Sequence, residues 1–475
     1  MATEPERRPF GRGRAVSLFT LGTMRALAGP RPLADVLTAA LQAGINHIET
    51  APAYGPAETF LGQVLRQLHE QDSQARAQLV ITSKLLPGPD LAEGRRQLLA
   101  SLERLGPPPP GRPPLDNLAV HGLNTAEHLT WALDGPGAAL LDWALGEGLV
   151  AQVGFSSHGG TDLIAAALAS GRFGFCSLHL HLFDRERLPL ARAALTEGIG
   201  VMAISPADKG GRLYAPPPEL QADCAPFAPL ELAYRFLLAE GISTLSLGAA
   251  EPGDLVWAHR LAAAAGPLTS AEEEALARLA AAGQQRLGAE QCGQCRACLP
   301  CPIEVPIPAL LRLRNLAVGH GMEAFAGERY NLIGRAGHWW EALDASACQR
   351  CGSCMPRCPH ELAIPDLLSD THRRLAAGPR RRLWGERPAA AMPWGAAPSQ
   401  SACRACRSPG TSGGRLWQRA SNSAGGASSS ARGGGKARAA CCRVAGGRGG
   451  TQPAASNLGN SGGCSTSASH SSGGT

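Results

Sequence analysis

Eight cysteines in two tight groups raise the first chemical question. Cys292, Cys295, Cys298 and Cys301 lie in CGQCRACLPCP, and Cys348, Cys351, Cys354 and Cys358 lie in CQRCGSCMPRCP. The second group has the spacing C-x2-C-x2-C-x3-C-P, which wraps thiolates around a [4Fe–4S] cube; the first has two residues in its last gap. Thiolate is a soft ligand, and short gaps let successive sulfurs converge on one centre. Zinc held by two CxxC pairs is the competing chemistry, but such sites usually need a longer gap between the pairs. Two compact groups, each closed by Cys-Pro, therefore predict one or two [4Fe–4S] clusters. In two-cluster modules the fourth cysteine of each motif often ligates the other cluster, and the spacing leaves the crossing of Cys301 and Cys358 open. Cys176 reads as a small core residue, Cys224 as a residue of a proline-flanked loop, and the five cysteines beyond Cys358 as chance members of a biased tail.

The elements that carry these residues separate by composition. From Val16 to Leu287, short β-rich runs alternate with Ala/Leu-rich helical stretches. The runs begin near Val16, Asn46, Leu79, Leu118, Ala151, Gly174, Gly200 and Thr244, about 33 residues apart on average, which suits a strand, a helix and two loops. Eight such units predict a (β/α)8 TIM barrel rather than an open sheet. Leu33, Val36, Leu37 and Ala40 recur at helical spacing before the second run, and Thr269 with Glu272 has capping-box spacing. Between the cysteine motifs, IPALLRLRNLAVGHGMEAFAGERYNLIG reads as helix, which predicts a small helical ferredoxin-like domain. The expected organisation is a barrel over 14–287, an iron–sulfur domain over 288–375 and a disordered low-complexity tail over 376–475.

In such a barrel, reactive groups sit at the carboxyl ends of strands or just beyond them. Glu49 and Tyr54 in GINHIETAPAYG, Lys84 ending LVITSK and His121 ending NLAVH all fall there. One mouth would hold all four. The chain has three lysines against 42 arginines, and Lys84 and Lys209 are the two in the barrel. A chain that makes its positive charge from arginine keeps lysine where a compact ammonium with a tunable proton is wanted.

GINHIETAPAYGPAETFLGQVL, VITSK, LAVHG, GFSSH, GVMAISPADKGGRL and STLSLGAA, in this order, resemble the strand-end motifs of the aldo/keto reductase family across about residues 14–260. The branch with an appended iron–sulfur domain looks most similar. The resemblance implies a catalytic tetrad of Glu49, Tyr54, Lys84 and His121, with Tyr54 giving a proton to a carbonyl oxygen as hydride reaches the carbon. An unperturbed phenol titrates near ~10. The Lys84 ammonium is expected to lower that value, Glu49 to hold Lys84, and His121 to donate a hydrogen bond to the same oxygen. The resemblance also implies NADP or NAD bound against Ser156, Ser205, Pro206, Gly248 and Ala249. The loop DKGGRL would present Lys209 and backbone N–H groups to a pyrophosphate. The chain departs from the family pattern at Glu49, where Asp is usual, and at His181, where an Asn is common. It departs again at Glu251, near a usual phosphate-binding cation.

Charge and hydropathy exclude other classes. Net charge is +6, but residues from Arg387 onward hold ten basic groups and no acidic one, which leaves the first 386 residues at net −4. A specific nucleic-acid-binding body is therefore not expected. The loss of every acid at one point also suits a shifted reading frame in the tail. No apolar run is long enough to span a membrane, and the start MATEPERRPFGRGR lacks a secretory h-region, so a cytoplasmic protein is expected. Two functions follow. One is an oxidoreductase acting on a small carbonyl or alcohol, with attached clusters. The other is an iron–sulfur electron-transfer or redox-sensing protein that uses the barrel as scaffold and meets a redox partner protein. Hydride carries two electrons and a cluster passes one at a time, so direct coupling would need a further cofactor.

Overall fold

Short β-rich runs at regular intervals close on themselves when every connection is a helix. The computed structural model describes residues 5–377 apart from 208 and 210. It contains a two-stranded antiparallel ribbon, β1 (Arg7–Arg8) and β2 (Val16–Ser17), and eight parallel strands in a closed barrel. These are β3 (Phe19–Gly22), β4 (His47–Glu49), β5 (Val80–Leu85), β6 (Leu115–Val120), β7 (Val150–Ser157), β8 (Phe175–Leu178), β9 (Gly200–Ala203) and β10 (Thr244–Gly248). They follow one another round the barrel in chain order, and β10 pairs with β3 to close it. All eight expected runs are strands. The first is displaced: Val16 belongs to the ribbon, and the barrel strand starts at Phe19. The helix Pro30–Gln42 buries Leu33, Val36, Leu37 and Ala40. Thr269 and Glu272 exchange the two hydrogen bonds of a capping box, and the Glu272 carboxylate also takes Arg235 Nε at 2.7 Å.

The ribbon closes the barrel floor. Phe10 in its turn is fully buried against Val16 of the ribbon and against Val80, Ala119, Phe175 and Met202, which come from four barrel strands and can meet only inside the barrel. Above this plug runs a belt of hydrogen bonds. Thr20 Oγ1 meets Thr244 Oγ1 at 2.7 Å and His47 Nδ1 at 2.7 Å, and His47 Nε2 meets Thr82 Oγ1 at 2.7 Å. Asn117 Nδ2 donates to Thr82 Oγ1 at 2.9 Å, and Gln152 Nε2 donates to Asn117 Oδ1 at 2.8 Å and to the Phe10 carbonyl at 2.9 Å. Each polar side chain is thus matched to a neighbouring strand, as a dry interior demands. Cys176 is a buried strand residue, as expected. Cys224 is not in a loop: it ends the helix Pro218–Cys224 and is fully buried.

Beyond the barrel helix Ser270–Leu287 lie the helices Ile307–His320, Glu323–Tyr330 and Ile364–Leu375. They dock on the barrel through ion pairs. Arg212 meets Glu328 at 2.6 Å and Arg312 meets Asp184 at 3.4 Å, and Arg296 pairs with Glu186. No helix among the described residues is long and apolar enough to cross a membrane. The tail, from residue 378 with its cysteines and basic charge, lies outside the described residues.

Burial pushes the His47 imidazole down to about 3, and the Lys84 ammonium adds to the effect. The unfolded imidazole titrates near ~6.5, so on acidification the unfolded chain takes the proton first and stability falls. The contribution is complete above that range and declines as pH drops through it. Between pH 7 and 5 this group should remove about 2 kcal/mol. Urea unfolding of the wild type and His47→Gln at both pH values checks this: the variant should lose less stability on acidification, and equal losses would contradict the assignment.

Candidate active site

Because β4, β5 and β6 are neighbours, strand alternation brings their last inward residues to one rim. Glu49 ends β4, Lys84 is the penultimate residue of β5, and His121 follows β6. Tyr54 comes from the 3-10 turn Pro52–Tyr54 just past β4. Lys84 Nζ donates to Tyr54 Oη at 2.7 Å and to the Thr50 carbonyl at 3.2 Å, and it forms an ion pair with Glu49 Oε1. The Tyr54 hydroxyl donates to the same Glu49 oxygen at 3.1 Å. All four predicted residues meet here. The methylene that Glu49 has over Asp lets one carboxylate oxygen reach both the ammonium and the phenol.

Lys84 is 2% exposed and Glu49 6%, so the pair is taken out of water almost completely. Burial pulls the Lys84 ammonium well below its usual range, against which the touching carboxylate works. Burial likewise pushes the Tyr54 hydroxyl above its usual value. The expectation that Lys84 acidifies the resting phenol is therefore corrected. The ammonium is countered by Glu49, whose carboxylate also accepts the hydrogen bond of the phenol, so desolvation dominates. His121 is held well below the usual imidazole range by burial and then by Lys84, so it stands neutral with a single N–H. Its ring lies edge-on to Tyr54, with 5.7 Å between centroids.

A second set of groups lines the rim beyond His121, and sequence reasoning missed most of it. His158 Nε2 lies 3.1 Å from His179 Nε2, and His179 Nδ1 lies 3.3 Å from His181 Nε2. Burial lowers all three imidazoles, and neutral His179 can donate to one neighbour only while accepting from the other. Ser177, His179 and His181 alternate along one extended stretch and face the interior, as Phe175 does. The His-x-His spacing was the legible signal. Ser177 Oγ and His181 Nδ1 are buried without a hydrogen-bond partner among the described residues. Trp339 lies edge-on to His121 at 5.4 Å and to His158 at 5.1 Å.

The residues expected at a cofactor lie on the same rim but round the barrel from the tetrad, at the ends of β7, β9 and β10. Ser156 Oγ accepts the Gly122 N–H at 3.0 Å. Ser205, before Pro206, has a left-handed backbone with φ of 47°, and its carbonyl accepts the Lys209 N–H at 3.1 Å. Residues 208 and 210 of that loop lie outside the described residues. Gly248 pairs with Gly22 at the strand ends, and Ala249 is buried. Arg25, which no motif singles out, reaches the Gly248 carbonyl from Nη1 at 3.4 Å.

The two cysteine groups share one backbone path. Gln294 and Arg350 are each two residues past the first cysteine of their motif, and both are left-handed, with φ of 56°. Arg296 (64°) matches Gly352 (75°), and Glu304 (58°) matches Glu361 (50°). Non-glycine residues avoid this region, so its use at matched positions gives the two loops the same uncommon backbone course. The segments that follow, CPIEVPIPALL and CPHELAIPDLL, carry the same letters at Cys, Pro, Glu, Ile, Pro, Leu and Leu, a repeat that was legible in the sequence. Cys301, Cys348, Cys351 and Cys354 line one hollow with Ile303, Val305 and Leu368. Burial raises the Cys292 thiol, and Cys295 and Cys358 lie near enough to raise it further. The Arg350 N–H donates to Cys348 Sγ at 3.4 Å. Among the described residues no three His, Cys, Asp or Glu converge as ligands of a single ion.

Residues 20–221 match the aldo/keto reductase family model. Over those residues the chain is similar to the aldo/keto reductases, and the match indicates an oxidoreductase. Among solved structures it is similar to a Pseudomonas aeruginosa chain described as an aldo-keto reductase, with 26% identity over 55% of this chain and 95% of that one and a TM-score of 0.44. It is also similar to the holo form of an aldo-keto reductase from Bacillus halodurans, with 21% identity, 58% and 96% coverage and a TM-score of 0.48. A third similar structure is an aldo-keto reductase complexed with NADPH, at 18% identity, 58% and 87% coverage and a TM-score of 0.47. No curated protein gives a significant match.

Removing Glu49 would leave a buried ammonium without its counter-charge, which typically destabilises by about 3–5 kcal/mol. Glu49→Ala should show a loss of that size in urea unfolding at pH 7; a loss under about 1 kcal/mol, the worth of an exposed pair, would contradict the buried-pair reading.

Proposed function

We propose that the barrel interconverts a small carbonyl compound and its alcohol using a nicotinamide cofactor. The observation that carries this is the 2.7 Å contact between Lys84 Nζ and Tyr54 Oη at the barrel mouth. The cofactor, when bound, supplies the hydride. Tyr54, kept protonated by its surroundings, gives its proton to the carbonyl oxygen as that oxygen gains charge. The phenolate left behind is stabilised by the Lys84 ammonium at hydrogen-bond distance, and Glu49 keeps that ammonium in place. His121, neutral, donates its one N–H to the same oxygen. The residues fit the cofactor: Ser177 Oγ and His181 Nδ1, unpartnered and buried, suit the donor and acceptor of a carboxamide. Arg25 beside Gly248 offers a cation on the rim where Glu251 offers none, which favours the extra phosphate of NADP.

The cysteine segment would hold two [4Fe–4S] clusters in a ferredoxin-like domain. The hollow lined by Cys301, Cys348, Cys351 and Cys354 supports a crossed ligand set, as does the nearness of Cys358 to Cys292. Clusters so held pass electrons singly. Cys295 and Cys351 are exposed, which suits exchange with a redox partner at the surface.

Two experiments test these assignments. Tyr54→Phe should abolish NADPH-dependent carbonyl reduction, by 10²-fold or more, without changing iron content; unchanged turnover would refute the proton-donor role. In anaerobic preparations about eight irons per chain are expected. Cys301→Ser and Cys348→Ser should damage the same cluster, so the double variant should lose no more iron than either single one. Loss of both clusters in that double variant would refute the crossing.

A further inference from the structure

We propose that Trp339, carried by the cysteine domain, forms one wall of the carbonyl pocket and restricts it to slender, unbranched aldehydes. This rests on the reductase reading above and adds the residue that sets substrate size.

The placement is built from both sides. Gly122, just past β6, has φ of +76° and no side chain, and a Cβ there would run into the Trp339 ring. Its backbone is held in that position: the N–H donates to Ser156 Oγ at 3.0 Å, and the carbonyl meets His128 Nδ1 at 3.0 Å. The loop after His121 is thus shaped to receive an indole. From the other side, the turn Gly337–Trp339 is anchored by Asn124. Asn124 Nδ2 reaches His338 Nδ1 at 3.0 Å and donates to the His338 carbonyl at 3.2 Å, while Asn124 Oδ1 accepts the His158 N–H at 2.7 Å. His338 also lies edge-on to His128 at 5.0 Å. The amide therefore ties the turn to the end of β7.

Between these anchors the indole fills the space over His121 and His158, the first of which is the proposed hydrogen-bond donor to the carbonyl oxygen. Tyr54 also lies edge-on to His121, with 5.7 Å between centroids. A substrate reaching His121 therefore meets both a phenol and an indole. A flat or single-chain aldehyde fits there, whereas a ketone with two bulky groups meets the ring. Trp339 is nine residues before Cys348, so the wall belongs to the segment that spans the two cysteine motifs.

The test uses the full-length protein with its iron content measured. Two readouts are compared in the wild type, Trp339→Ala and Trp339→Phe. The first is independent of turnover: carbethoxylation of His121 by diethylpyrocarbonate, followed by peptide mass spectrometry. His121 should be protected in the wild type and Trp339→Phe, and modified several-fold faster in Trp339→Ala. The second is the ratio of kcat/KM for diisopropyl ketone to that for propanal, with NADPH. Trp339→Ala should raise this ratio by roughly tenfold or more, mainly through KM, and Trp339→Phe should restore most of the wild-type preference. Unchanged His121 labelling in Trp339→Ala overturns the wall, whatever the activity. So does faster labelling with an unchanged ratio, which would leave Trp339 a merely structural contact. Failure of the reductase reading shows differently, as wild-type turnover that does not depend on Tyr54, and in that case the labelling still decides whether Trp339 covers His121.

Discussion

A lysine ammonium removed from water inside a barrel must be answered at once by an opposite charge. Lys84 meets this demand with Glu49, the Thr50 carbonyl and the Tyr54 hydroxyl, and most features of the site follow from that arrangement. Glu49 must end β4, because only the adjacent strand brings a carboxylate to β5. Tyr54 must sit on a tight turn directly after β4, so that its oxygen meets both ammonium and carboxylate. The phenol that results is not acidic at rest. It is a protonated donor with a cation waiting beside it, which suits a step in which the proton leaves only when negative charge builds on a nearby oxygen.

The rest of the barrel keeps this cluster rigid and dry. Below it, the hydrogen-bond belt from Thr244 through Thr20, His47, Thr82 and Asn117 to Gln152 ties six strands together by side chains, and Phe10 plugs the floor. Polar groups therefore fill the middle of the barrel without admitting bulk water. Above the cluster, the cysteine domain adds an aromatic ring at the mouth. On the proposed reading the chain would bring two kinds of redox chemistry to neighbouring sites, and the mismatch between paired and single electrons would give the cysteine segment a structural, sensing or partner-facing role rather than a place in hydride transfer.

How much of this could be read from the letters depended on the range of the physics. Strands and helices declare themselves by local period, so all eight runs were legible, and the error at Val16 was a short one caused by an apolar floor strand preceding the barrel strand. The meeting of Glu49, Lys84 and His121 at one rim was legible because all three stand at the ends of successive strands. The protonation of Tyr54 was not, since neighbour identity shows in a sequence but depth of burial does not. Trp339 was invisible for a different reason: it meets His121 across 218 residues of chain with no motif to link them. The left-handed turns at Gln294, Arg296, Arg350, Glu304 and Glu361 were hidden because none of these residues advertises such a backbone, although the repeated CP-x-E segment was there to be read.

The central claim is that Tyr54 is a protonated phenol held against a buried ammonium–carboxylate pair. The chain has four tyrosines, so ¹³C labelling at the phenolic carbon and a Tyr54→Phe control isolate one signal. On titration from pH 6 upward, the Tyr54 resonance should keep its protonated position past the usual phenol value of about 10. Deprotonation of Tyr54 clearly below that value in the resting protein would contradict the account.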